Sequence, residues 1–205
     1  MEAPGPLREV RSWEEAEPDR SADAAVLEAM LLTAGEKGYG RTTVREIAER
    51  ARITQDRFHR RFGSKEACFA RAYEEAAEQL AGELLEACRD APDWREGFRA
   101  GLTELLRFVA EQPLRAKALL IEVRAARGDA WVAHQRQVER LTAAFDSVRD
   151  EPGARPDANP MTAGFVIGAI EEALSLEIAA GRGDGVQLQL NDLTHLAFLQ
   201  LFGEE

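Results

Sequence analysis

Hydrophobic residues recur every three or four positions along most of the chain, which is the spacing of amphipathic helices. The first helix is predicted over about 24–37 with Asp23 as its N-cap, and a long helix from Ser64, its N-cap, to about Cys88. Later stripes predict helices over about 93–109, 113–127, 131–149, 161–180 and 188–202, with 151–160 as a loop. No alternating strand pattern of useful length occurs. We therefore predict an all-α protein of about nine helices.

Two very short helices are predicted between Thr42 and Ser64. Thr43 is followed three residues later by a glutamate, which forms a capping box, and Thr54 is an N-cap candidate for the second helix. The second helix carries two phenylalanines, at 58 and 62, on one side. Two helices joined by so short a turn form a helix-turn-helix, whose second helix enters the major groove of DNA.

The charge of this region differs from that of the whole chain. Residues 24–70 contain nine Lys/Arg and six Asp/Glu, a net charge of +3, whereas the full chain carries −11. A charge run alone is more often an ordinary solvated helical face. Together with the two caps and the phenylalanine pair, however, a positive region in an acidic protein favours contact with phosphates.

At this point the stretches GYGRTTVREIAERARIT and FHRRFGSKE resemble the N-terminal domain of the tetracycline-repressor (TetR) family of transcription regulators. The resemblance is specific over about 24–69. It implies a DNA-binding domain at 23–69, preceded by a mostly disordered arm at 1–22 and followed by a helical regulatory and dimerisation domain at 70–205. It further implies backbone contacts from Thr43, Thr54, His59 and Lys65, and positions at or near base edges for Gln55, Asp56, Arg57 and Arg60.

Three residues depart from the family's pattern. Arg52 stands in the turn where glycine is usual, so a left-handed conformation there would be strained. Asp56 replaces a small residue, and we expect its carboxylate either to pair with Arg52 or Arg60 or to accept a hydrogen bond from cytosine. His59 replaces a tyrosine.

The resemblance also implies a homodimer on a palindromic double-stranded DNA operator, most simply a repressor released by a small hydrophobic effector. Dimerisation is expected through 161–202, because the predicted helix over 161–180 is apolar nearly all round and the last helix is rich in leucine and phenylalanine. The effector cavity is expected among the central helices. Its candidate lining residues are Trp94, Phe98, Phe108, Arg124, Trp131, His134 and Phe165.

The remaining features argue against other classes of protein. The histidines are scattered and no metal-ligand spacing, nucleophile signature or phosphate loop occurs, so we expect no metal, no cofactor and no enzyme activity. No secretory signal or membrane span is visible, which predicts a cytoplasmic protein. Cys68 and Cys88 are twenty residues apart on one predicted helix, too far for a disulfide. The alternative function is a helical protein-interaction module whose helix-turn-helix is only structural.

Overall fold

The computed structural model describes residues 20–146 and 161–202, and these residues fold into nine helices with no strand. The helices are α1 Arg20–Lys37, α2 Val44–Arg50, α3 Gln55–Phe62, α4 Lys65–Arg89, α5 Trp94–Glu111, α6 113–126, α7 Gly128–Asp146, α8 Thr162–Ala179 and α9 Leu190–Phe202. Short 3-10 turns at Tyr39–Arg41 and Gly183–Gln189 join α1 to α2 and α8 to α9. The predicted all-α class is confirmed.

Helix α6 is continuous but not uniform. It starts at Pro113, passes through a π-helical turn at Ala118–Glu122 and ends at Ala126. A π turn inside an α-helix shifts the register of the residues that follow it, and such turns are often found at functional sites. Here the π turn packs against α1, so it joins the N-terminal three helices to the larger bundle.

The caps expected from the sequence hold the short helices in place. Thr43 and Glu46 form the reciprocal capping box at the start of α2. Thr54 accepts a hydrogen bond from the Arg57 N–H at 3.2 Å, and Ser64 accepts one from the Ala67 N–H at 3.1 Å. Each cap satisfies a backbone donor that a helix start leaves without a partner.

The predicted start of α1 is wrong. Because α1 already begins at Arg20, Asp23 lies inside the helix and is not its N-cap. Its carboxylate accepts two 2.7 Å hydrogen bonds from Nε of Arg61 and lies 3.3 Å from Arg71. These bonds to Arg61 lower the pKa of Asp23. Asp23 therefore fastens α1 to α3 and α4, a role that only the folded chain shows.

Some predictions concern parts of the chain outside the described residues. Residues 1–19 of the predicted arm at 1–22 lie outside the described residues. The predicted loop at 151–160 and the predicted end of α7 at 149 also lie outside them. Cys68 is buried and Cys88 is half-buried, and both are free thiols, as expected. None of the described helices is both long and apolar enough to cross a membrane.

Candidate functional site

The first candidate site is the exposed face of α3. Phe58 and Phe62 point inward and are 0% and 8% exposed, which fixes the rotation of the helix. The opposite side of α3 presents exposed polar residues to solvent, namely Gln55, Asp56, Arg57, His59 and Arg60. A helix with this division lies on a small apolar core and offers a charged, hydrogen-bonding face to a partner.

Two residues at the edge of this face have structural partners. Lys65 is half-buried and its Nζ donates hydrogen bonds to the carbonyl oxygens of Tyr39 and Thr42, at 3.1 and 3.2 Å. Its ammonium also lies 4.3 Å from the centre of the Tyr39 ring. Thr43 Oγ1 donates to the Glu46 carboxylate at 2.8 Å. Both side chains hold the turn before α2, and a third donor remains on the Lys65 ammonium.

His59 is held by its own helix end. Its Nδ1 lies 3.1 Å from the carbonyl oxygen of Gly63, and a carbonyl only accepts hydrogen bonds. Nδ1 therefore carries the proton, which leaves Nε2 as an acceptor in the neutral ring and as a donor only in the protonated ring. This arrangement determines how His59 can meet a phosphate.

The expected partners of Asp56 are not found. Asp56 is exposed in the first turn of α3, and within the described residues it forms no ion pair with Arg52 or Arg60. The position near the positive end of the helix dipole favours a carboxylate there. Of the two hypotheses drawn from the sequence, the intramolecular pair is therefore wrong for this structure, and the carboxylate faces solvent.

The net positive charge of the region is concentrated on α3 and the turn before it. Three other cations near α2 are paired with carboxylates: Lys37 with Glu46, Arg50 with Glu36 at 2.6 Å, and Arg45 with Glu49 at 4.0 Å. Arg52 has a positive φ of 57°, the left-handed conformation that the sequence indicated as strained. Its side chain is exposed beside the same face.

The second candidate site is an elongated cavity of about 510 Å³ inside the larger bundle. It follows α4 from Tyr73 to Arg89, a rise of about 24 Å along a helix axis. Most of its wall is apolar, with side chains from α4, α5, α6, α7 and α8. Such a shape and lining are typical of a site for a small apolar molecule.

Only three of the seven residues predicted to line the cavity do line it, namely Trp94, Phe98 and His134. Phe108 is buried elsewhere in the core, and Phe165 is 66% exposed on the outer side of α8. The Trp131 ring stacks on the His134 ring, with 4.8 Å between the ring centres, but Trp131 does not line the cavity. These predictions were partly wrong because spacing along a helix does not fix which neighbour a face meets.

Arg124 is also outside the cavity wall. Its guanidinium lies 3.0 Å from Glu172 and 3.5 Å from Glu171, as an ion pair between α6 and α8. Burial acts to lower the pKa of Arg124, but the hydrogen bonds and charges of the two carboxylates leave it raised. Arg124 contacts the cavity wall at Glu171.

The sequence did not predict four polar residues that line the cavity, Tyr73, Arg89, Gln137 and Glu171. Tyr73 Oη lies 3.0 Å from His134 Nδ1, and His134 Nε2 lies 3.2 Å from Glu171 Oε1. Burial lowers the pKa of His134, although the Glu171 carboxylate acts against that shift. The only signal in the sequence was a glutamate in the middle of the most apolar helix.

Part of the chain matches a known protein family, and its fold matches solved structures. Residues 26–72 match the family model described as bacterial regulatory proteins, tetR family. FadR from Bacillus subtilis, solved in complex with stearoyl-CoA, has a TM-score of 0.76 at 14% identity, covering 88% of this chain and 98% of that one. No curated protein sequence matches the chain.

A TetR-family regulator from Marinobacter aquaeolei has a TM-score of 0.71 at 20% identity, with 89% of this chain and 96% of that one covered. The whole described chain therefore has the fold of a TetR-type transcriptional regulator, with a helix-turn-helix domain and a larger helical domain. The family resemblance predicted from the sequence is confirmed for residues 26–72, which match the tetR family model.

Proposed function

We propose that this protein is a dimeric, ligand-responsive repressor that binds a palindromic DNA operator through α3. The observation that carries the proposal is the face of α3, where two buried phenylalanines turn the polar residues outward together. In a helix-turn-helix protein this face enters the major groove, where side chains meet base edges. Arg57 and Arg60 are suited to guanine, Gln55 to adenine and Asp56 to cytosine.

The residues around α3 supply contacts to the phosphates. Lys65 keeps one ammonium donor beyond its two carbonyl partners, and Thr43, Thr54 and His59 lie at or beside the start and end of the two short helices. Such contacts position the protein on the duplex without reading its sequence. They account for most of the salt dependence of binding.

The outer side of α8 supports dimerisation. Phe165 is 66% and Leu176 59% exposed, and they are eleven residues apart, or three helical turns, on one face. Gly168 lies on the same side, and nothing lies within 4 Å of where its Cβ would be. Exposed apolar side chains on one helix face are typical of a subunit interface, although the exposed Glu172 lies between these two, and α9 adds Leu196, which is 39% exposed.

The cavity supports release by a ligand. A structural neighbour, FadR of Bacillus subtilis, was solved with stearoyl-CoA, a molecule with a long apolar chain. The cavity described here is also long and mainly apolar, so we propose a small hydrophobic effector for this protein. Because its wall includes α6, which packs on α1, an occupant can change the position of the DNA-binding domains.

Selection of bound sequences from a random DNA pool tests the first part of the proposal. We expect a palindrome whose half-sites are about one helical turn apart. Arg60→Ala should then relax the preference at one base pair per half-site. The matched control is Arg140→Ala on α7, which removes the same charge far from α3 and should leave the selected sequence unchanged. Failure to select any sequence would favour the alternative of a protein-interaction module.

Light scattering tests the dimer. Phe165→Glu and Leu176→Glu should each give a monomer at micromolar concentration, because a charge in the middle of an apolar interface loses its hydration. Val132→Glu on α7 is the control, since Val132 is 42% exposed and lies outside the segment 161–202. A monomeric parent protein would contradict the proposal.

A further inference from the structure

The end of the cavity at Tyr73 has an unusual combination of groups for an apolar site. Tyr73, His134 and Glu171 are linked in one chain of hydrogen bonds, with heavy-atom distances of 3.0 and 3.2 Å. All three line the cavity, and Glu171 is only 13% exposed. A carboxylate in such a position needs hydrogen-bond donors on both of its oxygens to be stable.

In the described part of the protein, donors reach only one of the two oxygens. Both His134 Nε2 and the Arg124 guanidinium approach Oε1 of Glu171, at 3.2 and 3.5 Å. Within the described residues, Oε2 of Glu171 has no protein partner. Glu171 therefore offers an acceptor to whatever occupies the cavity.

The direction of the hydrogen bonds in this chain follows from the chemistry of its members. The Glu171 carboxylate only accepts, so His134 Nε2 carries the proton and donates to it. His134 Nδ1 is then an acceptor, and Tyr73 donates its hydroxyl proton to it. The hydrogen-bonded series of Tyr73, His134 and Glu171 has no donor left for a ligand, since each of its protons already has an acceptor inside the protein.

The charge at this end of the cavity is negative. Burial keeps His134 neutral at pH 7, because it lowers the pKa of the imidazole. Arg124 is shared between Glu171 and Glu172, so two carboxylates face one guanidinium. A ligand carboxylate placed here would meet a like charge and an acceptor without a proton.

From these observations we infer that the cavity takes an apolar chain whose polar end is a hydrogen-bond donor, a hydroxyl or an ammonium group, placed against Glu171. This deepens the proposed function and rests on its effector cavity, while it restricts the effector to donor-headed amphiphiles. The length of the cavity along α4 suits an extended chain. A molecule with a carboxylate head would have to bind with that head away from Glu171.

Binding of three probes of equal chain length tests the inference: dodecan-1-ol, dodecylamine and dodecanoate, all below their micelle concentrations. Displacement of the neutral dye N-phenyl-1-naphthylamine gives their affinities for the full chain. We expect dodecan-1-ol and dodecylamine each to bind at least about tenfold more tightly than dodecanoate, since a hydrogen bond to a charged acceptor has about that effect. The ratio of the amine to the alcohol distinguishes a cationic from a neutral head.

Two neighbouring variants provide a matched comparison. Glu171→Gln keeps the shape and removes the charge, so dodecylamine should bind about tenfold more weakly and dodecanoate no more weakly than before. Glu172→Gln also removes a partner of Arg124 but lies outside the cavity wall, so its probe affinities should equal those of the parent. Near-ultraviolet circular dichroism checks that both variants keep the native packing.

The outcomes separate the two proposals. Dodecanoate binding as tightly as the other probes, or equal effects of the two variants, would overturn the inference while a hydrophobic effector stays supported. If no probe displaces the dye, both the inference and the effector proposal fail. Operator binding is measured independently, so its absence would remove the proposed regulator without affecting the probe order.

Discussion

The backbone N–H of Tyr39 donates a 2.7 Å hydrogen bond to Oε2 of Glu122, a residue 83 positions further along the chain. Tyr39 is buried in the turn before α2, and Glu122 is the last residue of the π turn in α6. The same π turn contributes Leu119 and Leu120 to the cavity wall. One short segment thus contacts both the cavity and the DNA-binding domain, as a coupling element must.

Glu122→Ala should lower the free energy of unfolding by about 1–3 kcal/mol, because it leaves the buried Tyr39 N–H without an acceptor. Glu122→Gln keeps an acceptor oxygen and should lose less. Urea unfolding at fixed protein concentration measures both. The control is Glu139→Ala, an exposed residue of α7, which should stay within about 0.5 kcal/mol of the parent. Equal stability of Glu122→Ala and the control would show that this link contributes nothing.

The close contact between α1 and α6 depends on a glycine. A Cβ on Gly35 would lie 2.1 Å from the carbonyl oxygen of Leu114, so the two helices would have to move apart. Gly35→Ala should therefore destabilise the protein by at least about 1–3 kcal/mol. Gly82→Ala on α4 is the matched control, since nothing lies within 4 Å of its Cβ position. It should be stabilising by about 0.5–1 kcal/mol. A thermal melt that ranks the two variants in the opposite order would contradict the contact.

The sequence predicted contacts between residues that are close along the chain better than contacts between distant residues. The caps at Thr43, Thr54 and Ser64 each join residues three positions apart, and the sequence predicted all three. The partner of Asp23 is Arg61, 38 residues away, and no local pattern links the two. The helix start was misplaced for that reason, because a buried acid near a helix end resembles a cap.

The cavity illustrates the same limit. Trp94 and Phe98 were expected there together with Phe165, because all three are large and apolar. Which of them turns inward depends on how each helix is rotated against its neighbours, and that rotation is decided by tertiary packing. The polar residue Glu171 escaped attention because a pair of adjacent glutamates points in two directions, and only the fold shows that one of them faces the cavity.

Arg52 offers a test of backbone strain. Its φ of 57° is unfavourable for any residue with a side chain, so Arg52→Gly should stabilise the protein by about 1 kcal/mol. Arg52→Ala is the control, since it removes the same guanidinium but keeps the Cβ, and it should give no such gain. Chemical denaturation measures both variants. Equal stabilities would mean that the turn stores no strain. Loss of operator affinity should be the same in the two, because both lose one charge beside α3.

The last prediction concerns His134 and the stability of the larger helical domain. Burial lowers the pKa of His134 in the folded protein below its value of about 6.5 in the unfolded chain. As the pH falls through that range, the unfolded state therefore binds the proton first, and stability is lost. The full contribution is present above pH ~6.5, and the slope approaches about 1.4 kcal/mol per pH unit below it.

Other groups with altered pKa values act in a different range. Arg61 lowers the pKa of Asp23, and hydrogen bonds from Lys37 and Thr43 lower the pKa of Glu46 to about 2, so both carboxyls take up protons in more acidic solution. Urea unfolding at pH 5.0, 5.5, 6.0 and 7.5 thus isolates the histidine. His134→Gln, which keeps a donor and an acceptor towards Glu171 and Tyr73, should flatten the curve over this interval. His195→Gln, an exposed residue on α9, should leave it as in the parent. If His134→Gln keeps the slope of the parent, the proton enters elsewhere, and a neutral imidazole beside Glu171 is no longer supported.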